Sequence, residues 1–408
     1  YVGNLRNPEK ELVTLSERFT KEKANERRRN MRVVICADAH LDSAFSVFRK
    51  NPGKTQIRRD EQRLAFSKAI SEAKQNDAHL LMLPGDLLDA RNATRETLDY
   101  LLAAFGSIPN TFVLISPGNH DPATADSPYL TADWPENVYI FRKGLEALEL
   151  SYEDTGETVR VYGAGFQGHF CRNSLLRHHN TLPILDKNNI NLLVMHGSIT
   201  ENGGKSDYNP IYLEDLNACG FDFCALGHVH SYSGIVKSEN TAYAYTGPCE
   251  GRAFDEPGPC GILSGTIAKG RVELTFLPTS VRENHIVRID ITALDSYEQV
   301  LNAIRSKCGN PEYLYKVLLT GKKRPHLNLS AAKLTAELSP EYFYIKVIAE
   351  YQDEVDTELL KEENSLRGCF VRCMLEQMAG AEDQELLQEA MFYGLQAFDG
   401  EVLFNDNP

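Results

Sequence analysis

The sequence predicts an α/β fold in which the main strands are buried on both faces. Five apolar runs, rich in branched residues and bounded by turn residues, are typical of strands in a covered sheet. A short polar cluster follows each run at once, and strand and helix patterns alternate again over residues 285–348. The five runs read RVVICA, AHLLML, TFVLIS, NLLVM and FDFCAL.

The polar clusters that follow these strands predict a divalent-metal site. Strand ends converge on one edge of an open α/β sheet, where loops aim side chains at a common point. Each cluster alone is also an ordinary turn, but five in succession at strand ends favour a site. The clusters are Asp38-Ala39-His40, Gly85-Asp86, Gly118-Asn119-His120-Asp121, His196-Gly197 and Gly227-His228-Val229-His230.

The residue types in these clusters indicate which metal they suit. Two carboxylates, one amide oxygen and four imidazoles match Mn, Fe or Zn better than Ca, which prefers oxygen ligands. Seven ligands are too many for one tetrahedral ion and about right for two ions that share a carboxylate. Asp86 is the natural bridge. We therefore expect two divalent metal ions, with Mn preferred and Fe, Zn or Mg as alternatives.

With these motifs the chain resembles the calcineurin-like metallophosphoesterases, whose D-x-H, G-D-x-x-D, G-N-H-D/E, H and G-H-x-H pattern is complete here. The resemblance implies a β-sandwich flanked by helices. It also implies that one metal is held by Asp38, His40, Asp86 and His230, and the other by Asp86, Asn119, His196 and His228. Two such ions would activate a bridging water and clamp two phosphoryl oxygens.

The same resemblance implies the catalytic residues. His120 is the histidine that binds no metal and would donate a proton to the leaving oxygen. Asp121, next to it, would orient the imidazole, and Asp89 would form a hydrogen bond to a metal ligand.

Three stretches, residues 58–89, 212–235 and 246–262, resemble the DNA-repair exonuclease branch of SbcD and YhaO type. Gly85-Asp86-Leu87-Leu88-Asp89 continues as Ala90-Arg91, which disfavours a protein phosphatase. In that branch Arg252 would contact a DNA phosphate; the alternative is a surface ion pair with Glu250 or Asp255. The resemblance implies DNA, an SMC-like ABC ATPase subunit and a second copy in a homodimer as partners.

The length of 408 residues predicts more than one domain. We expect residues 1–30 to be a disordered extension, 31–280 the dimetal domain, 281–350 a small α/β capping domain and 351–408 an acidic helical segment. Apolar residues at helical spacing form two stripes in that segment. They indicate either a helical hairpin packed on itself or a binding face for the ATPase. The stripes comprise Leu366, Phe370, Cys373 and Met374, then Leu387, Met391, Leu395 and Phe398.

The charge pattern does not by itself favour nucleic acid. The net charge is −14, and residues 351–408 hold 3 Lys/Arg against 14 Asp/Glu. DNA-binding surfaces are normally basic stripes. The cluster Lys322-Lys323-Arg324 is either a DNA contact or a solvated turn. The prediction that DNA is the substrate therefore depends on the family resemblance and not on the charge.

Nine cysteines without a C-x-x-C pair indicate a reducing, cytoplasmic setting. No apolar stretch approaches the length of a membrane span. The sequence thus predicts a cytoplasmic, Mn-dependent DNA phosphodiesterase, an exonuclease with endonuclease action as a further option. The alternatives are a small-nucleotide phosphodiesterase or phosphomonoesterase, and a non-enzymatic scaffold for the ATPase.

Overall fold

The structure of the protein is a computed structural model that describes residues 30–89, 93–152, 156–177, 181–201, 203–353, 357–381 and 383–399. The predicted extension over residues 1–30 therefore lies outside the described residues, except for Asn30. The chain divides into two compact units, which meet between Asn284 and His285.

The first unit contains fourteen of the described strands and four of the described α-helices. The strands are β1 (Met31–Ile35), β2 (Leu80–Leu83), β3 (Phe112–Ile115), β4 (Val138–Ile140), β5 (Glu146–Tyr152), β6 (Glu157–Ala164), β7 (Ile190–His196), β8 (Ser198–Thr200), β9 (Pro210–Tyr212), β10 (Phe223–Gly227), β11 (Val236–Ser238), β12 (Thr241–Tyr245), β13 (Gly261–Ala268) and β14 (Arg271–Pro278). The helices are α1 (Pro52–Gln75), α2 (Arg95–Gly106), α3 (Pro128–Thr131) and α4 (Leu213–Cys219).

Two six-stranded sheets form the centre of this unit. Their strand orders are β14-β13-β1-β2-β3-β4 and β11-β12-β10-β7-β6-β5. Strands β1 to β4 are mutually parallel, as are β6, β7, β10 and β12. The pairs β1·β13, β13·β14, β5·β6 and β11·β12 are antiparallel. A core of alternate residues from both sheets, including Ile35, Met82, Leu114, Val194 and Phe223, lies between them.

Helices cover the outer faces of the sandwich. Residues of α1 and α2, such as Phe66 and Phe105, pack on the outward side chains of β1 to β3. Leu216 of α4 packs on the outer face of the second sheet. The predicted β-sandwich flanked by helices is confirmed, and the five apolar runs are β1, β2, β3, β7 and β10. Parallel packing therefore brings the polar residues that follow them to one edge.

The second unit is a smaller α/β arrangement. Its elements are β15 (Asn284–Asp290), α5 (Tyr297–Lys307), β16 (Leu314–Thr320), β17 (Lys322–Lys323), α6 (Ala331–Leu338), β18 (Tyr344–Ala349), β19 (Gln352–Asp353), α7 (Thr357–Lys361), α8 (Leu366–Met378) and α9 (Gln384–Asp399). The sheet has the order β15-β16-β18, and α5 and α6 bury Ile304 and Leu338 in its core.

The last three helices pack on one another around Leu360, Val371, Met391 and Leu395. The predicted stripes match this core in part. Leu366, predicted to lie in the stripe, is 81% exposed, whereas Val371, outside the stripe, is buried. The face of α8 that packs on the core is therefore next to the predicted one.

The residues just after the predicted boundary at residue 280 are held to the first unit. The backbone N–H groups of Val281 and Arg282 donate to the Glu250 carboxylate at 2.6 and 3.3 Å, so the chain stays attached up to Asn284. In the part of the chain that the structure describes, no helix has the length and apolar character needed to cross a bilayer.

Candidate metal centre

Four of the seven predicted ligands have a positive φ angle, a backbone conformation that residues other than glycine rarely adopt. The φ angles of Asp38, His40, Asp86 and His228 are 48°, 44°, 49° and 104°. Each such residue costs on the order of 1–3 kcal/mol and persists where its surroundings fix it, which is common at functional sites. Here the Asp38 and His40 N–H groups donate to the carbonyls of Gly85 and Asp86, at 3.1 and 2.8 Å.

Two glycines allow these loops to approach one another. Gly85 has a φ of +92°, and a Cβ there would lie 2.3 Å from His196 Nδ1. A Cβ on Gly118 would lie 2.2 Å from Asp86 Oδ1. Any side chain at either position would displace a predicted ligand, so the glycines are needed for close approach.

The first predicted metal position is assembled in the structure. Ligand atoms of Asp38, His40, Asp86 and His230 all lie within 4.8 Å of one another. The Nε2 atoms of His40 and His230 are 3.3 Å apart, and His40 Nε2 lies 3.5 Å from Asp86 Oδ2.

The second predicted position shares Asp86 with the first. His196 Nε2 lies 3.5 Å from the same Asp86 Oδ2 and 2.9 Å from Asn119 Oδ1. The ring of His228 lies 5.2 Å from that of His196, between centroids. His196 Nδ1 donates to the Pro84 carbonyl at 3.1 Å, which leaves Nε2 free as a ligand. Asp86 thus lies between the two groups, as a bridge requires.

The protonation states of this cluster fit a bound cation. Burial lowers the pKa of His196 and of His228 to about 4, so both imidazoles are neutral at neutral pH, the form that binds metal. Burial, and then the charge of Asp86, raises the pKa of Asp38. Two fully buried carboxylates therefore ionise at a cost that a divalent cation would offset. This donor set suits a divalent transition metal.

Comparison with known proteins agrees with this geometry. The family model for the calcineurin-like phosphoesterases matches residues 31–232. Residues 31–232 are a calcineurin-like phosphoesterase domain. The chain is 25% identical over 247 residues to YhaO, an uncharacterized metallophosphoesterase of Bacillus subtilis (strain 168). That match covers 60% of this chain, which spans 59% of the length of YhaO.

A solved structure is also similar in part. It is that of a dimetal phosphatase from Danio rerio, at 10% sequence identity and a TM-score of 0.37, covering 61% of this chain and 99% of the other.

The surroundings of His120 in the phosphoesterase domain differ from the prediction. Asp121 turns away from the imidazole: its oxygens accept from the N–H groups of Gly118 and Leu88 at 2.8 and 3.0 Å and from the Tyr129 hydroxyl at 2.6 Å. The orienting role assigned to Asp121 is therefore wrong. It is a buried brace for the loop that carries Asn119 and His120.

Asp89 has the place predicted for Asp121. Its Oδ1 lies 3.9 Å from Nδ1 of His120, and this carboxylate raises the pKa of the half-exposed imidazole. The expectation that Asp89 hydrogen-bonds a metal ligand stays a prediction, and the contact with His120 is an additional one. Adjacency in sequence had favoured Asp121, but the tight turn directs neighbouring side chains apart.

Arg252 contacts a predicted ligand and is not a surface ion pair. Its side chain is 17% exposed, and its partner is Glu256, at 2.6 Å, not Glu250 or Asp255. Arg252 Nη2 also lies 2.9 Å from Nδ1 of His230. Although burial opposes ionisation, hydrogen bonding to His230 and the charge of Arg252 lower the pKa of Glu256 to about 2.

The basic cluster Lys322-Lys323-Arg324 lies in the second unit, where carboxylates engage two of its members. Lys323 Nζ pairs with Asp353 at 2.6 Å, and Arg324 pairs with Asp295. The role predicted for this cluster in substrate binding is a proposal, and these ion pairs reduce the charge it could offer to DNA.

A group of stacked aromatic rings lies beside the predicted metal ligands and was not predicted from the sequence. Tyr208 lies against His228, with 4.9 Å between ring centroids, and Phe170 stacks on Tyr208 at 6.0 Å. Phe170 is 64% exposed, and its neighbour His169 lies 2.7 Å from the Asn119 carbonyl through Nδ1. No spacing in the sequence connects Phe170 with Tyr208, because their pairing depends on the fold alone.

Proposed function

We propose that the chain is a metal-dependent DNA phosphodiesterase, acting as an exonuclease and also, in part, as an endonuclease. Convergence of Asp86 Oδ2 with His40 Nε2 and His196 Nε2, at 3.5 Å each, is the observation that carries the proposal. It supports two ions about one carboxylate, the arrangement used for phosphoester hydrolysis. When bound, two divalent cations would activate water and neutralise phosphoryl charge. Mn²⁺ is the proposed metal.

The residues around that centre would perform the remaining steps. His120 is 45% exposed beside the ligands, so its imidazole can reach a leaving oxygen and give it a proton. Asp89 favours the protonated form that this step needs. The ligand side chains would fix the position of the scissile phosphate.

The exposed face of Phe170 supports a substrate with a base. A nucleobase adjoining the scissile phosphate could stack on Phe170 and extend the column formed with Tyr208 and His228. Such stacking contributes about 1–3 kcal/mol per base. The loop is fixed for this purpose, since Cys171 N–H donates to the Asp207 carbonyl at 2.7 Å and Leu175 N–H to Asn209 Oδ1 at 2.7 Å.

The resemblance to the DNA-repair branch supports DNA as the polymer and an SMC-like ATPase as partner. That ATPase, a homodimer contact and a cytoplasmic location are proposals. The second candidate is a small-nucleotide phosphodiesterase or phosphomonoesterase. The net charge of −14 and the ion pairs of Lys323 and Arg324 favour it, because a small ligand needs no basic surface.

The test is incubation of the protein with Mn²⁺ and end-labelled single- and double-stranded DNA, beside free nucleotides and a small chromogenic phosphodiester. The proposal expects degradation of DNA. Cleavage of nucleotides alone would support the second candidate, and inactivity on every phosphoester with every divalent ion would support a scaffold.

The role of His120 is tested by substitution. His120→Ala should retain both metals and lose about 10²–10⁴-fold in kcat. Loss of metal in this variant would contradict the role of His120 as a proton donor.

Phe170 is tested on the same substrates. Phe170→Ala should weaken DNA cleavage at low substrate about five- to a hundred-fold, with the small diester unaffected. Phe170→Trp retains a ring and should restore most of the loss. Equal DNA cleavage by wild type and Phe170→Ala would remove stacking from the proposal.

A further inference from the structure

We propose that Glu256 is a positioning residue for the predicted metal ligand His230, and that Arg252 acts on the same imidazole in the opposite direction. The inference rests on the dimetal site of the proposed function. Glu256 is 3% exposed, and its Oε1 lies 3.0 Å from His230 Nδ1. His230 Nε2 faces His40 Nε2 and the ligand cluster.

Glu256 contacts Nδ1 of His230, whereas Arg252 Nη2 lies 2.9 Å from Nδ1 and 3.5 Å from Nε2. A carboxylate only accepts hydrogen bonds, so Glu256 requires the proton to be on Nδ1 and leaves the Nε2 lone pair for a metal. This is the arrangement in which a carboxylate, a histidine and a metal lie in series. It fixes the orientation of the ring and makes Nε2 a stronger ligand.

Arg252 competes for the same nitrogen. A guanidinium only donates, and Arg252 Nη2 lies 2.9 Å from His230 Nδ1. Without Glu256, this donor would favour the tautomer with the proton on Nε2, the nitrogen that faces the metal position. Its charge would also repel a divalent ion. Glu256 offsets both effects, because Oε1 binds Arg252 Nη2 at 2.6 Å and Nε at 3.1 Å.

The loop that carries both residues is itself fixed. The Arg252 N–H donates to Glu256 Oε2 at 2.6 Å, which holds the second carboxylate oxygen. The carbonyl of Gly251 accepts from the buried Arg58 Nη2 at 2.7 Å. Glu256 thus has little freedom to leave His230, as a positioning role demands.

The experiment compares metal binding in five variants of the full chain. They are Glu256→Gln, which retains an acceptor but no charge, Glu256→Met, Arg252→Met, the double variant Glu256→Met with Arg252→Met, and Asp255→Asn. Asp255 is an exposed carboxylate next to Glu256 and is the matched control. Mn²⁺ affinity and stoichiometry are measured by calorimetric titration of metal-free protein, and folding by thermal melting of the same samples.

Glu256→Met should weaken one of the two Mn²⁺ sites about 10- to 100-fold, and Glu256→Gln should fall between it and wild type. Arg252→Met should bind Mn²⁺ at least as tightly as wild type, and the double variant should regain part of the affinity lost in Glu256→Met. Asp255→Asn should match wild type. A purely structural role would change the melting temperature without this order of affinities.

Unchanged affinity in both Glu256→Gln and the double variant, with two Mn²⁺ bound, would overturn this inference and leave the proposed function intact. A double variant that binds more weakly than Glu256→Met would also overturn it. A wild-type chain that binds no Mn²⁺ would overturn the inference and the proposed function together. If Glu256→Met does not fold, the comparison of Glu256→Gln with Asp255→Asn decides.

Discussion

At the scale of single residues, two carboxylates near His120, those of Asp121 and Asp89, have different functions. Asp121 is 1% exposed and braces the loop through Gly118, Leu88 and Tyr129, whereas Asp89 faces the imidazole. Sequence proximity does not distinguish them, because both lie within a few residues of a predicted ligand. Only the direction of each side chain in the fold does.

This separation predicts opposite outcomes for two matched substitutions. Asp121→Asn should lower the free energy of unfolding by about 1–3 kcal/mol, because a buried acceptor of three hydrogen bonds loses its charge and one oxygen. Asp89→Asn should leave unfolding within about 0.5 kcal/mol and lower kcat, with metal content unchanged. Urea unfolding and steady-state kinetics measure both. A stable, inactive Asp121→Asn would restore the role first assigned to it.

A single methyl group at Gly118 should disable the metal centre. Its Cβ would lie 2.2 Å from Asp86 Oδ1 and 2.7 Å from the Asp86 backbone nitrogen, so the carboxylate must move. Gly118→Ala is expected to lose bound Mn²⁺ by elemental analysis. Gly144→Ala, where no atom lies within 4 Å of the added Cβ, is the control. Full occupancy in Gly118→Ala would show that Asp86 does not bridge in this position.

At the scale of elements, the strands and their ligands were predictable and several supporting contacts were not. The apolar runs before Asp38, Gly85 and His196 encode strands locally, and parallel pairing then brings their ends together. By contrast, β5 and β6 carry fewer apolar residues and gave no clear signal. Glu256 and His230 lie on different loops, so no spacing rule connects them.

Helix α1 shows how a polar run can be buried. Its charged and polar residues Arg58, Glu61 and Gln62 are only 0%, 8% and 0% exposed. Arg58 binds Glu61 and Glu250 at 2.6 Å each, and Glu61 binds Arg282 at 2.8 Å. The helix thus supports the loop between β12 and β13, and this tertiary pairing could not be read from composition.

Loss of Arg58 should therefore be costly. Arg58→Met leaves the buried Glu250 carboxylate without its cationic partner, and breaking a buried ion pair in this way typically costs about 3–5 kcal/mol. Arg95→Met is the control, because Arg95 is 80% exposed and its pair with Asp99 should contribute no more than about 0.5 kcal/mol. Chemical unfolding compares the two. Similar losses in both would mean that the network adds nothing beyond a surface pair.

At the scale of the whole molecule, the boundary between the units decides what can be removed. The sequence predicts this boundary between residues 280 and 281. In the structure Val281 and Arg282 bind Glu250, and the Asn284 carbonyl accepts from the Gly258 N–H at 2.9 Å. Residues 281–284 hold the loop that carries Glu256, so a chain that ends at residue 280 should have a disturbed metal centre.

Two truncations test this and the substrate together. A chain ending at Asn284 should fold, bind two Mn²⁺ and hydrolyse a small chromogenic phosphodiester at nearly the full-length rate, while losing degradation of DNA. A chain ending at Ser280 should melt earlier and bind Mn²⁺ more weakly, because Glu250 and the loop after it lose their backbone partners. Calorimetry, the diester assay and end-labelled DNA measure these effects. Full DNA degradation by the chain ending at Asn284 would show that the second unit takes no part in substrate binding, and equal Mn²⁺ affinity in both chains would show that the loop needs no support from residues 281–284.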